Sequence, residues 1–420
     1  MKTKALRLYG PNDLRLEEFQ LPPLRDDEIL ARVVSDSLCM SSYKAAVQGA
    51  KHKRVPEDIA QNPVIIGHEF CGEILQVGKQ WQHKWSPGMK FAIQPAINYK
   101  GSLAAPGYSF AHLGGCATHV IIPAMFMEEN CLLPYNGAAY FYGSLAEPLG
   151  CVIGAFHANY HTTPGKYVHN MGVVPGGNMA ILAGAGPMGL GAIEYAVHCQ
   201  RKPSLLVVTD IDEQRLNRAR AICPPELAAQ QGVRLEYINS AEHESPVALL
   251  RELTCGVGYD DVFVYAPVRE LIEMGDALLG RDGCLNFFAG PTRPDFSANF
   301  NFYNAHYAST HIVGTTGGNT ADMLEALAMV EQGKLNPAGM VTHIGGLNCA
   351  AEATLALPEL PGGKKLIYMG VDIPLTAIAD FEEKGKREPL FAALHEIVQS
   401  NNGLWCTQAE QYLLTQANEV

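Results

Sequence analysis

The amino-acid sequence predicts an α/β protein in which an irregular, mostly antiparallel β unit precedes a doubly wound parallel sheet. Three observations predict this class: short alternating apolar runs continue to about residue 124, apolar strands alternate with helices after Glu147, and a glycine-rich turn begins at Gly184. Strands that are apolar on both faces and alternate with helices are typical of parallel sheets covered by helices. The order of the two patterns places the β unit first.

The elements follow in chain order. Alternating apolar runs predict strands at residues 4–9, 28–35, 72–77 and 89–93. After Glu147 the patterns predict helix 148–160, strand 179–183, helix 188–199, strand 205–209, helix 213–222, strand 261–265, helix 268–279, strand 284–288 and strand 311–314. The remaining patterns predict helix 323–332, strands 341–344 and 365–370 that return to the first domain, and helices 389–399 and 409–416.

Composition excludes several classes of protein. Lys+Arg 31 against Asp+Glu 43 gives a net charge of −12, which argues against a nucleic-acid binder because phosphate contacts need a basic face. Hydrophobic content of 47% with 18% charged residues is that of a globular chain. The 11 cysteines include no Cys-x-x-Cys pair, and the first ten residues contain no signal-peptide core, so we expect free thiols in the cytoplasm. Glycine and proline interrupt the uncharged stretches, and we expect no membrane span.

The glycine-rich turn points to a dinucleotide. It follows a predicted strand, opens a predicted helix, and reads Gly184-Ala-Gly186-Pro187-Met188-Gly189. We expect Gly184 to permit the tight turn, Gly186 to let the backbone approach a pyrophosphate, and Gly189 to allow close packing of helix on strand. The alternative is a strand-to-helix turn without a ligand.

The end of the next predicted strand supports the dinucleotide. Asp210 is expected to accept hydrogen bonds from the adenosine ribose and to repel a 2′-phosphate, which favours NAD(H) over NADP(H). Arg215 lies close enough in sequence to weaken that preference. The alternative role for Asp210 is the N-cap of the helix that begins near Asp212.

These patterns divide the chain into four segments. We expect the first part of a catalytic β domain at residues 1–149, a Rossmann-type dinucleotide-binding domain at 150–318, the second part of the catalytic domain at 319–372, and a helical C-terminal extension at 373–420.

Four residues have the composition of a catalytic zinc site. Cys39 follows a predicted strand, His68 and Glu69 lie together after Gly67, and Glu147 begins a predicted helix. One thiolate, one imidazole and carboxylates, with a position left for water or substrate, are ligands that zinc takes in enzymes. Each residue alone also has an ordinary reading, as a small buried hydrophobe, a core histidine or a charge at a helix start.

The order of these motifs resembles the zinc-dependent medium-chain dehydrogenase family, particularly its polyol branch. The resemblance covers residues 4–372 and rests on these segments: 39–41, 67–69, 114–120, 147–149, 184–189, 210 and 341–343. Segments 169–172 and 179–184 resemble in particular the L-sorbose-1-phosphate reductases. The resemblance implies the medium-chain dehydrogenase architecture, and it implies hydride transfer between NAD(P)H and a ketose or polyol, with reduction of L-sorbose 1-phosphate to D-glucitol 6-phosphate as the expected reaction.

The resemblance also implies roles for individual residues. Cys39, His68 and Glu147 match zinc ligands, and Glu69 matches a glutamate that exchanges with water on the metal. Ser41 matches the hydroxyl that passes the substrate proton.

Three departures from the family pattern matter. Residues 94–113, where many relatives carry four cysteines, contain none, so we expect one catalytic zinc ion and no structural zinc. Ser42 occupies the position of an aspartate that usually orients the ligand histidine, which leaves that partner unidentified. Lys44 occupies the position of a histidine that often ends the proton relay.

A phosphorylated substrate needs a cationic contact. Lys44 is the candidate, whereas residues 51–54 (KHKR) are interpreted as a solvated basic loop. We further expect a homo-oligomer. Two rival functions remain: a metal-free NADPH reductase of the same superfamily, and a nucleotide-binding protein without catalysis.

Overall fold

The computed structural model describes residues Met1–Val420, which form two compact units. The first unit contains Met1–Pro148, Leu327–Glu331 and Val341–Val420. The second contains Leu149–Ala326 and Gln332–Met340.

The strands are β1 Lys2–Gly10, β2 Asp13–Gln20, β3 Ile29–Ser37, β4 Val64–Ile65, β5 Phe70–Val77, β6 Lys90–Ile93, β7 His119–Ile122, β8 Leu132–Tyr135, β9 Tyr160–Thr162, β10 His169–Met171, β11 Asn178–Leu182, β12 Leu205–Asp210, β13 Arg234–Asn239, β14 Tyr259–Val264, β15 Leu279–Phe287, β16 His311–Gly314, β17 Val341–Gly346, β18 Lys364–Tyr368 and β19 Thr376–Ala377. The α-helices are α1 Met40–Gln48, α2 Ala124–Glu128, α3 Tyr140–Ser144, α4 Ala146–Ala158, α5 Pro187–His198, α6 Glu213–Ile222, α7 Pro225–Gln230, α8 Pro246–Leu253, α9 Arg269–Leu278, α10 Phe302–Tyr307, α11 Thr320–Glu331, α12 Ala350–Leu355, α13 Phe381–Gly385, α14 Pro389–Ser400 and α15 Thr407–Gln416.

The first unit is built around an eight-stranded sheet. Its order is β19-β17-β18-β3-β5-β6-β8, and β7 pairs with β3. The central strand β3 is buried along its length except at Arg32, and its polar end at residues 35–37 is buried as well. Strands β3 and β5 are antiparallel with Asp36 opposite Phe70, so the residues just after β3 and just before β5 emerge at the same end of the sheet. Cys39 and His68 occupy those two positions.

The second unit contains a six-stranded parallel sheet of order β13-β12-β11-β14-β15-β16. The chain adds β12 and β13 on one side of β11 and then β14 to β16 on the other. Strand order therefore reverses at β11, and in doubly wound sheets such a reversal is where ligands bind beyond the carboxyl ends of the strands. The turn that starts after β11 is the glycine-rich one.

The last fifty residues pack within the first unit through a buried carboxylate. Glu410 of α15 accepts hydrogen bonds from the backbone amides of Tyr140 (2.6 Å) and Phe141 (2.8 Å), which open α3. The Tyr368 hydroxyl donates to the same carboxylate at 2.8 Å and accepts from Trp405 Nε1 at 2.8 Å. The C-terminal helices therefore cap the helix that precedes Glu147.

The predicted fold class is confirmed, and each predicted element corresponds to an observed strand or helix with ends shifted by a few residues. Patterns missed from the sequence include helix α1, the hairpin of β9 and β10, and strand β13. No helix has the length and apolar character needed to cross a bilayer. The four domain segments expected from the sequence stay a prediction.

Candidate active site

Three side chains with metal-binding atoms converge where β3 ends and β5 begins. The ligand atoms of Cys39, His68 and Glu69 lie within 4.8 Å of one another. Gly67 has a φ of +91°, which an L side chain rarely adopts, and a Cβ there would lie 2.5 Å from an oxygen of buried Asp36. The other oxygen of Asp36 accepts from the Glu69 amide at 3.1 Å. These contacts aim the His68-Glu69 pair at Cys39.

The Ser41 hydroxyl connects two members of this cluster. It donates to the Cys39 thiol sulfur at 3.1 Å and lies 3.2 Å from His68 Nε2. Helix α1 begins directly after Cys39, so Ser41 sits in its first turn and faces the cluster. The predicted proton-passing hydroxyl is thus next to the atoms that would hold a metal.

The orienting partners of His68 replace the missing aspartate. Ser42 Oγ lies 3.1 Å and the Tyr108 hydroxyl 3.2 Å from His68 Nδ1. Burial lowers the pKa of His68 to about 4, so the ring is neutral at physiological pH. With Nδ1 engaged by two hydroxyls, Nε2 is the atom directed at Cys39 and Ser41, as a metal-ligating imidazole requires. Sequence reasoning named Ser42 only as a departure and missed Tyr108 entirely.

A buried ion pair holds Glu69. Lys364 Nζ lies 2.6 Å from both carboxylate oxygens of Glu69. Burial by itself raises the pKa of Glu69, but the Lys364 ammonium outweighs this effect and leaves that pKa below its ordinary value. Lys364 was missed, although its strand, Lys-Lys-Leu-Ile-Tyr, is buried along its whole length. A lysine in such a strand signals a buried partner.

The donor set fits a zinc ion. Loss of hydration and the nearby Glu69 carboxylate raise the pKa of Cys39 to about 12. A divalent cation would reverse that shift, because a coordinating thiol is deprotonated. A sulfur, a neutral imidazole and a carboxylate grouped within 4.8 Å are ligands that zinc accepts.

Two predicted residues lie outside the three-residue cluster. Glu147 is in the first turn of α4 and is half-buried. Its negative charge helps to raise the pKa of Cys39, but its oxygens are not among the ligand atoms grouped within 4.8 Å. Lys44 lies on α1, one helical turn after Ser41, and is half-buried. The roles of Ser41, Lys44, Glu69 and Glu147 remain predictions.

The basic run at residues 51–54 is only partly solvated. Lys51 and Lys53 are exposed as expected. Arg54, by contrast, is half-buried, with its guanidinium carbon 5.5 Å from the centre of the Tyr108 ring. The solvated-loop interpretation is therefore wrong for Arg54, because an aromatic ring from a distant segment covers its face.

The glycine-rich turn has the expected position and one unexpected feature. The residue in the left-handed region is Ala183 (φ 53°). Gly184 is sterically restricted instead, because a Cβ there would lie 2.6 Å from the Ile181 side chain, and its role in permitting the turn stays a prediction. A Cβ on Gly189 would lie 2.1 Å from the Gly184 carbonyl oxygen, consistent with close helix-strand packing. A Cβ on Gly186 would meet nothing within 4 Å, so the backbone there borders open space.

Helix α5 begins at this turn, with Gly186 as its N-cap, Pro187 in its first position and Met188 following. Proline at that position has no amide to leave unpaired and its φ suits the helix. The free N–H groups and the positive dipole end of the helix suit a phosphate.

Asp210 ends β12 beside the turn. One of its oxygens accepts from the Ala185 amide at 3.2 Å, and the other accepts from Ile211 at 2.9 Å. The N-cap of α6 is Asp212, which accepts from Gln214 and Arg215, so the capping alternative for Asp210 is wrong. The Arg215 guanidinium pairs with Asp212 at 3.4 Å on the surface.

Comparison with known proteins agrees with this geometry. Residues 25–172 match the family model described as alcohol dehydrogenase GroES-like domain, and residues 187–332 match the one described as zinc-binding dehydrogenase. The chain is 52% identical to L-sorbose 1-phosphate reductase of Klebsiella pneumoniae, covering 100% of this chain and 98% of the relative. It is 50% identical to mannitol-1-phosphate 5-dehydrogenase of Aliivibrio fischeri, covering 98% and 97%. Among solved structures, 2R,3R-butanediol dehydrogenase from Bacillus subtilis shares the fold, with a TM-score of 0.69, 19% identity, and coverage of 87% and 99%.

The fold and the site define the class of zinc-binding dehydrogenases. The chain belongs to the medium-chain zinc-dependent dehydrogenase family, and the protein is an oxidoreductase of the EC 1.1.1 type. The resemblance seen in the sequence and the enzyme class inferred from it are confirmed.

Proposed function

We propose that this protein is a zinc-dependent oxidoreductase that interconverts a ketose phosphate and a polyol phosphate with NAD(H), and that L-sorbose 1-phosphate to D-glucitol 6-phosphate is its reaction. The observation that carries the proposal is the cluster of half-buried Cys39 with buried His68 and Glu69, in which Ser41 contacts both Cys39 and His68. The names of the two relatives above, both at least 50% identical over nearly the whole chain, support a sugar-phosphate substrate.

The protein's own groups have distinct tasks in this reaction. When bound, zinc polarises the C–O group of the substrate, and the nicotinamide carries the hydride. Cys39 and His68 hold the metal, with Glu147 as the third ligand. In the direction of reduction, Ser41 Oγ gives its proton to the substrate oxygen, and Lys44, one helical turn away, is the outer member of the relay. Lys364 holds Glu69 in its charged form beside the metal.

The cofactor preference rests on Asp210. Its buried carboxylate lies beside the glycine-rich turn, where a negative charge suits ribose hydroxyls and repels a 2′-phosphate. The proposed dinucleotide-binding residues are Gly184, Gly186, Pro187, Met188, Gly189, Asp210 and Arg215. Solved proteins of this fold were captured with NADH, as in the rspB dehydrogenase of Escherichia coli CFT073, or with NADP, as in a zinc-binding dehydrogenase of Sinorhizobium meliloti 1021. We propose one zinc ion per chain.

Two further features complete the proposal. All 11 cysteines are free, and unpaired thiols suit the reducing cytoplasm. The homo-oligomer expected from the sequence stays a prediction, which light scattering coupled to size-exclusion chromatography tests.

The decisive experiment combines metal analysis with steady-state kinetics. Purified protein is expected to hold one zinc per chain and to reduce L-sorbose 1-phosphate faster with NADH than with NADPH. Cys39→Ser should lose both zinc and activity while its circular dichroism spectrum is retained. Activity that survives complete zinc removal would favour a metal-free NADPH reductase. Nucleotide binding without turnover of any ketose or ketose phosphate would favour a non-catalytic protein.

A further inference from the structure

The loop between the first two metal-ligand motifs carries an arginine without a counter-charge. Arg54 forms no ion pair with any carboxylate, and its Nε atom is buried without a hydrogen-bond partner. Its hydrogen bonds are made by the backbone: the amide donates to His52 Nδ1 at 3.3 Å, and the carbonyl accepts from the Ser109 hydroxyl at 2.7 Å. The backbone contacts fix the residue in place while the guanidinium keeps donors available.

Tyr108 ties this arginine to the metal cluster. The guanidinium carbon of Arg54 lies 5.5 Å from the Tyr108 ring centre, and His52 stacks on the ring at 5.4 Å with an interplanar angle of 11°. The Tyr108 hydroxyl lies 3.2 Å from His68 Nδ1. Arg54 is therefore separated from the metal-binding histidine by one tyrosine ring.

The surroundings of Arg54 are cationic. Burial lowers the pKa of His52, and the charges of Arg54, Lys53 and Lys44 lower it further, so three cations act on one imidazole. The acidic residue Asp58 nearby in the chain already accepts from the Asn62 side chain at 2.6 Å. A buried guanidinium nitrogen without a partner, next to other positive groups, is the arrangement that an anionic ligand completes.

Building on the proposed function, we propose that Arg54 binds the phosphate of the ketose phosphate and is the residue that selects phosphorylated over free sugars. Its planar guanidinium group offers two parallel N–H donors to phosphate oxygens, whereas a lysine ammonium at the same place cannot form this bidentate contact. The Tyr108 ring and the backbone contacts of the loop hold this group, and Lys44 adds a longer-range attraction. The phosphate then anchors one end of the sugar while the C–O group reaches the cluster.

The test uses the zinc-loaded, full-length enzyme with Arg54→Gln and Arg54→Lys, and with Lys51→Gln as a matched control on an exposed lysine of the same loop. Substrates are L-sorbose 1-phosphate and D-fructose 6-phosphate against L-sorbose and D-fructose. Arg54→Gln is expected to lower kcat/KM for the phosphorylated ketoses about 100-fold, mainly through KM, because two charge-assisted hydrogen bonds are lost. Values for the free sugars should change less than about threefold, and Lys51→Gln should resemble the native enzyme.

Two further readouts separate phosphate binding from a structural role. Inorganic phosphate should inhibit reduction of the free sugars by the native enzyme and should inhibit Arg54→Gln much less. Added guanidinium ion should restore part of the lost activity of Arg54→Gln on ketose phosphates only. The kcat/KM of Arg54→Lys for ketose phosphates should lie between the values for the native enzyme and for Arg54→Gln.

Several outcomes would overturn the inference. Equal losses on phosphorylated and free sugars would assign Arg54 a structural role, and a selective rise in the KM for NADH would assign it to the cofactor. In both cases the proposed function survives if the native enzyme prefers ketose phosphates. A native enzyme that reduces no ketose phosphate would instead remove the proposed function, and this inference with it.

Discussion

The buried ion pair between Lys364 and Glu69 offers the sharpest test of the site. Lys364 is 7% and Glu69 1% exposed, and each N–O distance is 2.6 Å. At that distance, with an effective dielectric constant of about 20, the attraction is roughly 6 kcal/mol. Desolvation of both ions offsets most of this gain, but removal of one partner leaves a buried charge uncompensated. Lys364→Met should therefore lower the free energy of unfolding by about 3–5 kcal/mol.

Urea unfolding followed by tryptophan fluorescence measures this loss. All three tryptophans, at positions 81, 85 and 405, belong to the first unit, which also contains the ion pair, so the signal reports the relevant part of the chain. Lys79→Met is the matched control, because Lys79 pairs with Asp26 on the surface and the change should be small.

A double-mutant cycle distinguishes the pair from a general packing defect. Glu69→Gln removes the charge that Lys364 balances, so the double variant should recover about 2 kcal/mol or more relative to the sum of the single losses. A loss below about 1 kcal/mol for Lys364→Met, or additive single losses, would refute the argument that the buried carboxylate depends on this lysine.

Three other predictions follow from the structure. Gly189→Ala places a Cβ 2.1 Å from the Gly184 carbonyl oxygen and should lower the Tm. Gly186→Ala places a Cβ with no atom within 4 Å, so the Tm should stay the same, but NADH binding measured by fluorescence titration should weaken. Asp210→Ser should reduce the ratio of kcat/KM for NADH over NADPH about tenfold or more, and an unchanged ratio would contradict the ribose role. Burial raises the pKa of Glu410 above 4.5, so the folded protein holds the proton more tightly than the unfolded chain does. The free energy of unfolding should therefore fall as the pH rises through that raised pKa. Glu410→Gln should remove this contribution to the difference between the urea midpoints at about pH 5 and about pH 8.

Much of the fold followed from local patterns. Strands buried on both faces, helices with apolar stripes and the glycine-rich turn each have a period or a spacing that short stretches of sequence carry. The sequence therefore predicted the parallel sheet of the second unit nearly element by element, and it located Cys39, His68 and the Gly184 turn. Short or irregular elements such as β9 and β10 have too few residues to show a period, and they were missed.

The partners of the site residues depended on tertiary structure. Lys364 is 295 positions from Glu69 in sequence, and it reaches Glu69 because β18 pairs antiparallel with β3 next to the end where Cys39 emerges. The same dependence applies to Tyr108, which joins His68 to Arg54, and to Glu410, which caps α3.

The sequence by itself determined the fold class, the family and the identity of the candidate metal ligands, because these depend on residue types at short spacings. Only the tertiary structure decided that Ser42 and Tyr108 orient His68 and that Lys364 neutralises Glu69. It also decided that the Arg54 side chain packs against an aromatic ring and is only partly exposed to solvent. The physical reason is that strand register and loop packing bring together groups far apart in the chain. A residue's charge balance and hydration are then set by neighbours that its own segment does not contain.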